Sequence, residues 1–356
     1  MRSRIFTLLS LSICFSGTLV AQNLVSNGGF EEYTHCPSKI VNFSGILKEI
    51  SLPTASSGDY FNTCGSDDFD APLNFRGTQE PAEGKGYAGL YFYALNDYRE
   101  YAQLNTTKTL RDKYPYKFSF QVSLAETSTI SLKNMAVVVT NTKVRVPNSQ
   151  ALTSSRMDLL DGVDYRIIPL KADKSLSDKD EWVTMTAEFD ARGYENHILI
   201  VNFSNNSGTN VINGNKSIVP NDFAYYYVDN VVLEELPRVN YEQDKIYVLE
   251  ESPFQPKGYE LDAEAIASVK KIFKFLKENA EVQMKITGHS NDAGDPAYNK
   301  FVSSLRARAV ALYLKKLGID DSRLVWEGVG ESKNLGKTKV AEKPQVEFVM
   351  TNFDNE

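Results

Sequence analysis

The residues best placed to do chemistry lie in one stretch of the last third of the chain. Ile286-Thr287-Gly288-His289-Ser290-Asn291-Asp292-Ala293-Gly294 is followed by Asn299, by Val302-Ser303 and by Arg306-Ala307. Gly288 ends a strand-like apolar run, and Asn291 to Gly294 reads as a loop in front of a helix. Ser303 and Arg306 are three apart, so they share one helical face, and Arg306 is aimed at that loop. A guanidinium fork matches a carboxylate, while a loop acid such as Asp292 suits a cation. This is recognition chemistry, in which no bond is made or broken. His289 reads as a structural residue of the turn rather than a base or metal ligand.

Catalytic signatures are missing. No GxSxG, HExxH, phosphate-binding loop or dinucleotide fingerprint occurs. Only three His and three Cys are present, so a His-rich metal centre is excluded. A pair of distant carboxylates would leave no local mark, as in glycoside hydrolases, but nothing points to one. The chain therefore reads as non-enzymatic. Acids outnumber bases, 46 to 39, and no long basic run exists, which argues against a nucleic-acid partner.

The elements that must carry these residues follow from length and texture. A chain of 356 residues has room for about two domains and a leader. Residues 1–21 have the layout of a signal peptide: Arg2 and Arg4, an apolar stretch from Ile5 to Val20, and Ala21 before Gln22. The competing reading, an uncleaved anchor, requires an apolar span longer than this one. No other stretch is apolar enough to span a membrane as a helix. The leader predicts an exported protein, or the exported part of a larger envelope assembly. Beyond the leader two cysteines remain, Cys36 and Cys64, and an even pair in an exported protein reads as a disulfide rather than two free thiols.

Residues 22–236 are rich in Tyr, Phe, Val and Thr, in short runs bounded by Gly, Asn, Asp and Pro. Phe118, Phe120, Val122 and Leu124 alternate with Lys117, Ser119, Gln121 and Ser123, the period-two mark of a strand with one buried face. Seven or more such runs predict an all-β sandwich. Residues 237–243, with Pro237, read as a linker. From 244 to 356 the period changes to 3.6. Ile266, Val269, Phe273 and Leu276 predict one helix, and Phe301 to Leu317 a second, stopped by Gly318. Strands are expected at Ile246 to Leu249, Val282 to Gly288, Arg323 to Val329 and Val346 to Thr351, giving an α+β domain.

The stretch from Ile286 to Arg306, with Gly318-Ile319, Arg323 and Gly328-Val329-Gly330-Glu331-Ser332, resembles the OmpA-like peptidoglycan-associating domain over about 110 residues. The resemblance implies binding of a peptidoglycan stem peptide by Asn291, Asp292, Asn299, Ser303 and Arg306. In that family a loop Asp and the helix Arg clamp the ammonium and carboxylate of one stem amino acid. Here the position of the Asp is Asn291, which supplies no charge, and the late NRRVE-like segment is Lys343-Pro344-Gln345-Val346-Glu347.

The opening Asn27-Gly28-Gly29-Phe30-Glu31 and the closing Tyr227-Val228-Asp229-Asn230-Val231-Val232-Leu233 resemble the ends of galactose-binding-like jelly-roll modules. That resemblance implies paired first and last strands, with Glu31 and Asp229 holding a structural Ca²⁺ completed by carbonyls near Gly84 to Gly89. It also implies a glycan or protein ligand. Tyr91, Tyr93, Tyr98, Tyr101 and Trp182 could stack on sugar, with Asn96 and Gln103 for hydroxyls, although aromatic residues are simply good strand formers. The expected protein is a two-domain envelope binder of peptidoglycan. The alternative is a scaffold whose C-terminal domain has lost that ligand and docks protein partners.

Overall fold

The computed structural model describes residues 22–38, 43–213, 218–219, 221–238, 240–249, 258–290, 295–330 and 346–352. The expected signal peptide, and the loop with Asn291 and Asp292, lie outside them. The chain divides into two compact units, meeting at Pro237 and Arg238.

The first unit is all β. Its main strands are β1 (Ile50–Ser51), β2 (Asp59–Asn62), β3 (Gly86–Tyr93), β4 (Ala102–Asn105), β5 (Pro115–Leu124), β6 (Ala136–Thr140), β7 (Tyr165–Pro169), β8 (Lys171–Ala172), β9 (Val183–Asp190), β10 (His197–Val201) and β11 (Ala224–Glu235). One antiparallel sheet has the order β1-β4-β10-β6-β7, and the other β8-β9-β5-β11-β3-β2. Leu104, Val139 and Ile198 from the first sheet share one apolar core with Phe92, Phe118, Phe120 and Val228 from the second. This is the predicted sandwich, and the alternation in β5 places its Phe residues inward.

The six-stranded sheet is buried on both faces where β2, β3 and the first half of β11 run side by side. Tyr226 belongs to the core between the sheets, while Tyr225 and Tyr227 join Phe61, Phe69 and Tyr87 in a second aromatic cluster. Successive side chains of a strand point to opposite faces, so three consecutive buried tyrosines require two covers. The ends of the unit meet as expected. Leu24 donates its N–H to the Leu233 carbonyl at 2.7 Å, and Val231 to Gly28 at 2.8 Å. Cys36 and Cys64 are bridged, with Cα atoms 5.6 Å apart.

The second unit holds β12 (Ile246–Val248), α1 (Ala263–Glu278), β13 (Val282–Gly288), α2 (Pro296–Leu317), β14 (Leu324–Gly328) and β15 (Val346–Asn352). The sheet order is β12-β15-β13-β14. β13 and β14 are parallel, and β15 runs antiparallel to β13. Both helices pack Val269, Ile272, Leu276, Val310 and Leu314 onto Met284, Ile286 and Phe348. Helix α2 starts five residues earlier than its apolar period predicts. Asp295 caps it by accepting from the Ala297 N–H, and Pro296 occupies its first turn. Gly318, at φ 109°, ends it.

Candidate functional site

The motif residues assemble at the C-terminal end of β13. Asn299, Ser303 and Arg306 lie on one face of α2, as their spacing predicts, and that face is turned inward: all three are fully buried. The helix comes close to the strand ends. A Cβ on Gly288 would sit 2.0 Å from the Ser303 carbonyl oxygen, and one on Gly328 2.1 Å from the Ser304 nitrogen. Glycine at both positions is what lets α2 approach.

Hydrogen bonds close the arrangement. Ser303 Oγ accepts from the Gly330 N–H at 2.9 Å and donates to the Lys300 carbonyl at 2.9 Å. Ser290 donates its N–H to the Gly330 carbonyl at 2.9 Å and its hydroxyl to Asn299 Oδ1 at 3.3 Å. Arg306 donates from Nε to the Gly258 carbonyl at 3.0 Å and from Nη1 to the His289 carbonyl at 3.1 Å. The loop at which the sequence aims this guanidinium lies outside the described residues. Arg306 ties Gly258, the end of β13 and α2 together, and two of its donors are committed to backbone. His289 behaves as a turn residue, with its Nε2 3.3 Å from Glu347 Oε2. That contact between two buried side chains had no signal in the sequence, because the partners are 58 positions apart and meet only across the sheet.

Glu31 and Asp229 are brought to one loop, as the jelly-roll resemblance implies. The donors they accept from are backbone N–H groups of that loop. Glu31 Oε1 accepts from the N–H groups of Lys85, at 2.6 Å, and Gly86, at 2.8 Å. Asp229 Oδ2 accepts from Ala82 and Glu83, at 2.9 and 3.1 Å, and Oδ1 from Asn230 at 2.6 Å. Ca²⁺ needs oxygen ligands, and these are the positive ends of backbone dipoles. The donor set at these contacts does not fit a cation. No group of three or more His, Cys, Asp or Glu able to hold a metal occurs among the described residues. Burial, opposed by those N–H groups, pushes the Asp229 carboxyl up to about 7.

The residues considered for stacking on sugar separate by burial. Tyr93, Tyr101 and Gln103 are buried, and Gln103 bonds Ser51 and the Val144 backbone. Tyr91, Tyr98 and Trp182 are half-buried, and the Trp182 Nε1–H donates to the Glu80 carbonyl at 2.9 Å. Asn96 is exposed. A polar cluster that sequence reasoning missed lies beside them. Glu100 accepts from Ser57 Oγ at 2.8 Å, from the Tyr98 hydroxyl at 2.7 Å and from the Tyr91 N–H at 2.9 Å. Burial, aided by nearby Asp59, raises its carboxyl to about 8.

Comparison with known proteins bears on the second unit. Residues 253–346 match the OmpA family. Among solved structures, the OmpA-like domain of FopA1 from Francisella tularensis is 23% identical, covering 28% of this chain and 70% of that one, at a TM-score of 0.26. The peptidoglycan-associated lipoprotein of Burkholderia pseudomallei is 22% identical, covering 28% and 88%, also at 0.26. A putative MotB-like protein of Desulfovibrio vulgaris is 27% identical, covering 29% and 70%, at 0.26. One curated protein, the photosystem I P700 chlorophyll a apoprotein A2 of Gloeobacter violaceus, is 31% identical over 80 residues. That match spans 22% of this chain and 9% of the curated protein. The second unit of the chain therefore carries an OmpA family domain at residues 253–346.

Proposed function

We propose that the chain is a non-enzymatic binding protein of a Gram-negative cell envelope, periplasmic or outer-membrane-associated. Its OmpA-like unit associates with peptidoglycan, and its N-terminal β-sandwich, of jelly-roll type, binds a glycan or an envelope protein. The observation that carries the reading is the OmpA family match over the segment that packs Asn299, Ser303 and Arg306 against the end of β13. No helix among the described residues is long and apolar enough to cross a membrane. Co-sedimentation of the full chain with purified sacculi tests the reading, and a chain left in the supernatant sinks it. In the same assay Asn291→Asp adds a charge at the position where the family has its clamp Asp. A charged hydrogen bond contributes roughly 1.5–3 kcal/mol against about 0.5–1.5 for a neutral one, so binding should tighten on the order of tenfold.

One observation favours the second reading, a scaffold that docks proteins through this unit. Arg306 is fully buried and bonded to the Gly258 and His289 carbonyls, so its guanidinium acts as a structural tie. If neither the parent nor Asn291→Asp sediments with sacculi, docking becomes the better account.

A further inference from the structure

Helix α2 has a second working face. Away from the buried row, its residues from Leu305 to Lys316 form one wall of a groove of about 430 Å³. The opposite wall is Tyr259 to Leu261 with Ile266 of α1. Leu261, Ile266, Leu305, Ala309 and Leu312 make the lining apolar, and Leu312 stays 50% exposed. Phe301, 60% exposed, continues the apolar row toward the start of the helix.

Charge sets the groove apart. Helix α2 contains no Asp or Glu. Arg308 and Lys316 stand on the rim, and neither makes an ion pair among the described residues, whereas Lys315 on the neighbouring face pairs with Asp321 at 3.0 Å. Glu260 is the one acid among the described residues of the lining. At a rise of 1.5 Å per residue the two rim cations are about 12 Å apart along the helix, and the row from Phe301 to Lys316 is roughly 22 Å long.

We propose that this groove docks an amphipathic helical segment of a partner protein, apolar on the face it inserts and acidic on its flanks. An apolar trough takes side chains at i, i+4 and i+7, and rim cations about two helical turns apart match carboxylates at that spacing. A second copy of this chain presenting the same face would set Arg308 and Lys316 against their own kind, so self-pairing is disfavoured. A lipid surface offers no fixed spacing of charge, whereas the two rim cations stand about two helical turns apart.

The test uses the full chain and a fluorescent synthetic helix with Leu at i, i+4 and i+7 and Glu on both flanks. A twin with Lys in place of every Glu is the control. Anisotropy should show binding of the acidic peptide at least tenfold tighter than its twin, weakened several-fold by high salt. Leu312→Asp should weaken it tenfold or more. Arg308→Glu, an exposed change that leaves the packing intact, should reverse the preference between the twins. Thermal unfolding confirms that each variant is folded. Equal binding of the twins, or no effect of Leu312→Asp, overturns the proposal. So does self-association in sedimentation that Leu312→Asp abolishes while the peptide does not bind. Binding to anionic phosphatidylglycerol vesicles without binding to the peptide overturns it in favour of a membrane.

Discussion

Arg306 donates from Nη1 to the carbonyl oxygen of His289 at 3.1 Å, joining the middle of α2 to the residue that follows β13. With its Nε bonded to Gly258, one side chain holds three segments of the unit together. Arg306→Ala should therefore destabilise the second unit by about 1–3 kcal/mol for each carbonyl left unpaired, since the Gly258 and His289 oxygens lose their donor. Arg306→Lys keeps the charge but loses the fork, and should also destabilise. Denaturant unfolding of the full chain checks both. A stable Arg306→Ala protein that has lost only its ligand would return Arg306 to the role of a surface clamp.

Gly288 and Ser303 set the distance between strand and helix. A methyl group at Gly288 would overlap the Ser303 carbonyl, so α2 must move away and disturb the bonds from Ser303 and Arg306. Gly288→Ala should cost about 1–3 kcal/mol or more. The corresponding unfolding transition should move, while that of the β-sandwich stays in place.

The buried acids of the first unit predict its pH dependence. Asp229 and Glu100 are raised from 3.8 and 4.5 to about 7 and about 8. A carboxyl whose folded value exceeds its unfolded one takes up a proton on folding. The resulting stability is fully present below the unfolded value and is lost as pH rises through the folded value. The β-sandwich should thus be more stable near about pH 5 than near about pH 8, by on the order of 1 kcal/mol per pH unit for each group. Glu100→Gln should flatten part of that slope. Melting curves that do not change across this range would contradict the burial of both charges.

The loop held by Glu31 and Asp229 gives a prediction about metal. Both carboxylates are met by backbone N–H groups, so millimolar Ca²⁺ or a chelator should leave the melting temperature of the β-sandwich unchanged. Glu31→Ala should lower that temperature equally with and without Ca²⁺, because the N–H groups of Lys85 and Gly86 lose an acceptor. A rise with Ca²⁺ that Glu31→Ala removes would restore the cation site.

Reduction of the Cys36–Cys64 bridge should destabilise the first unit. The bridge spans 28 positions, and closing such a loop contributes roughly 3–4 kcal/mol through the entropy of the unfolded chain. Cys36→Ser with Cys64→Ser should reproduce the effect of a reductant, and then respond no further to it.

Periodicity along the chain was enough to define most of the elements. Local alternation in β5 and the 3.6 period of α1 are properties of single elements, so they can be read without knowing what each element touches. The motif from Gly288 to Arg306 likewise identified the C-terminal domain, and the two cysteines beyond the expected leader identified the bridge. Tertiary structure decided what spacing leaves open. Spacing put Ser303 and Arg306 on one face of α2, but only packing against Gly288 turned that face inward. The resemblance of the segment's ends implied that Glu31 and Asp229 meet, but the folding of residues 82–86 determined which N–H groups they accept from. Tyr225, Tyr226 and Tyr227 read as a strand, yet Phe61, Phe69 and Tyr87 of the second aromatic cluster over that strand come from more than 130 positions away. A side chain's surroundings depend on the partner that packs against it, and local sequence carries the period of an element without naming that partner.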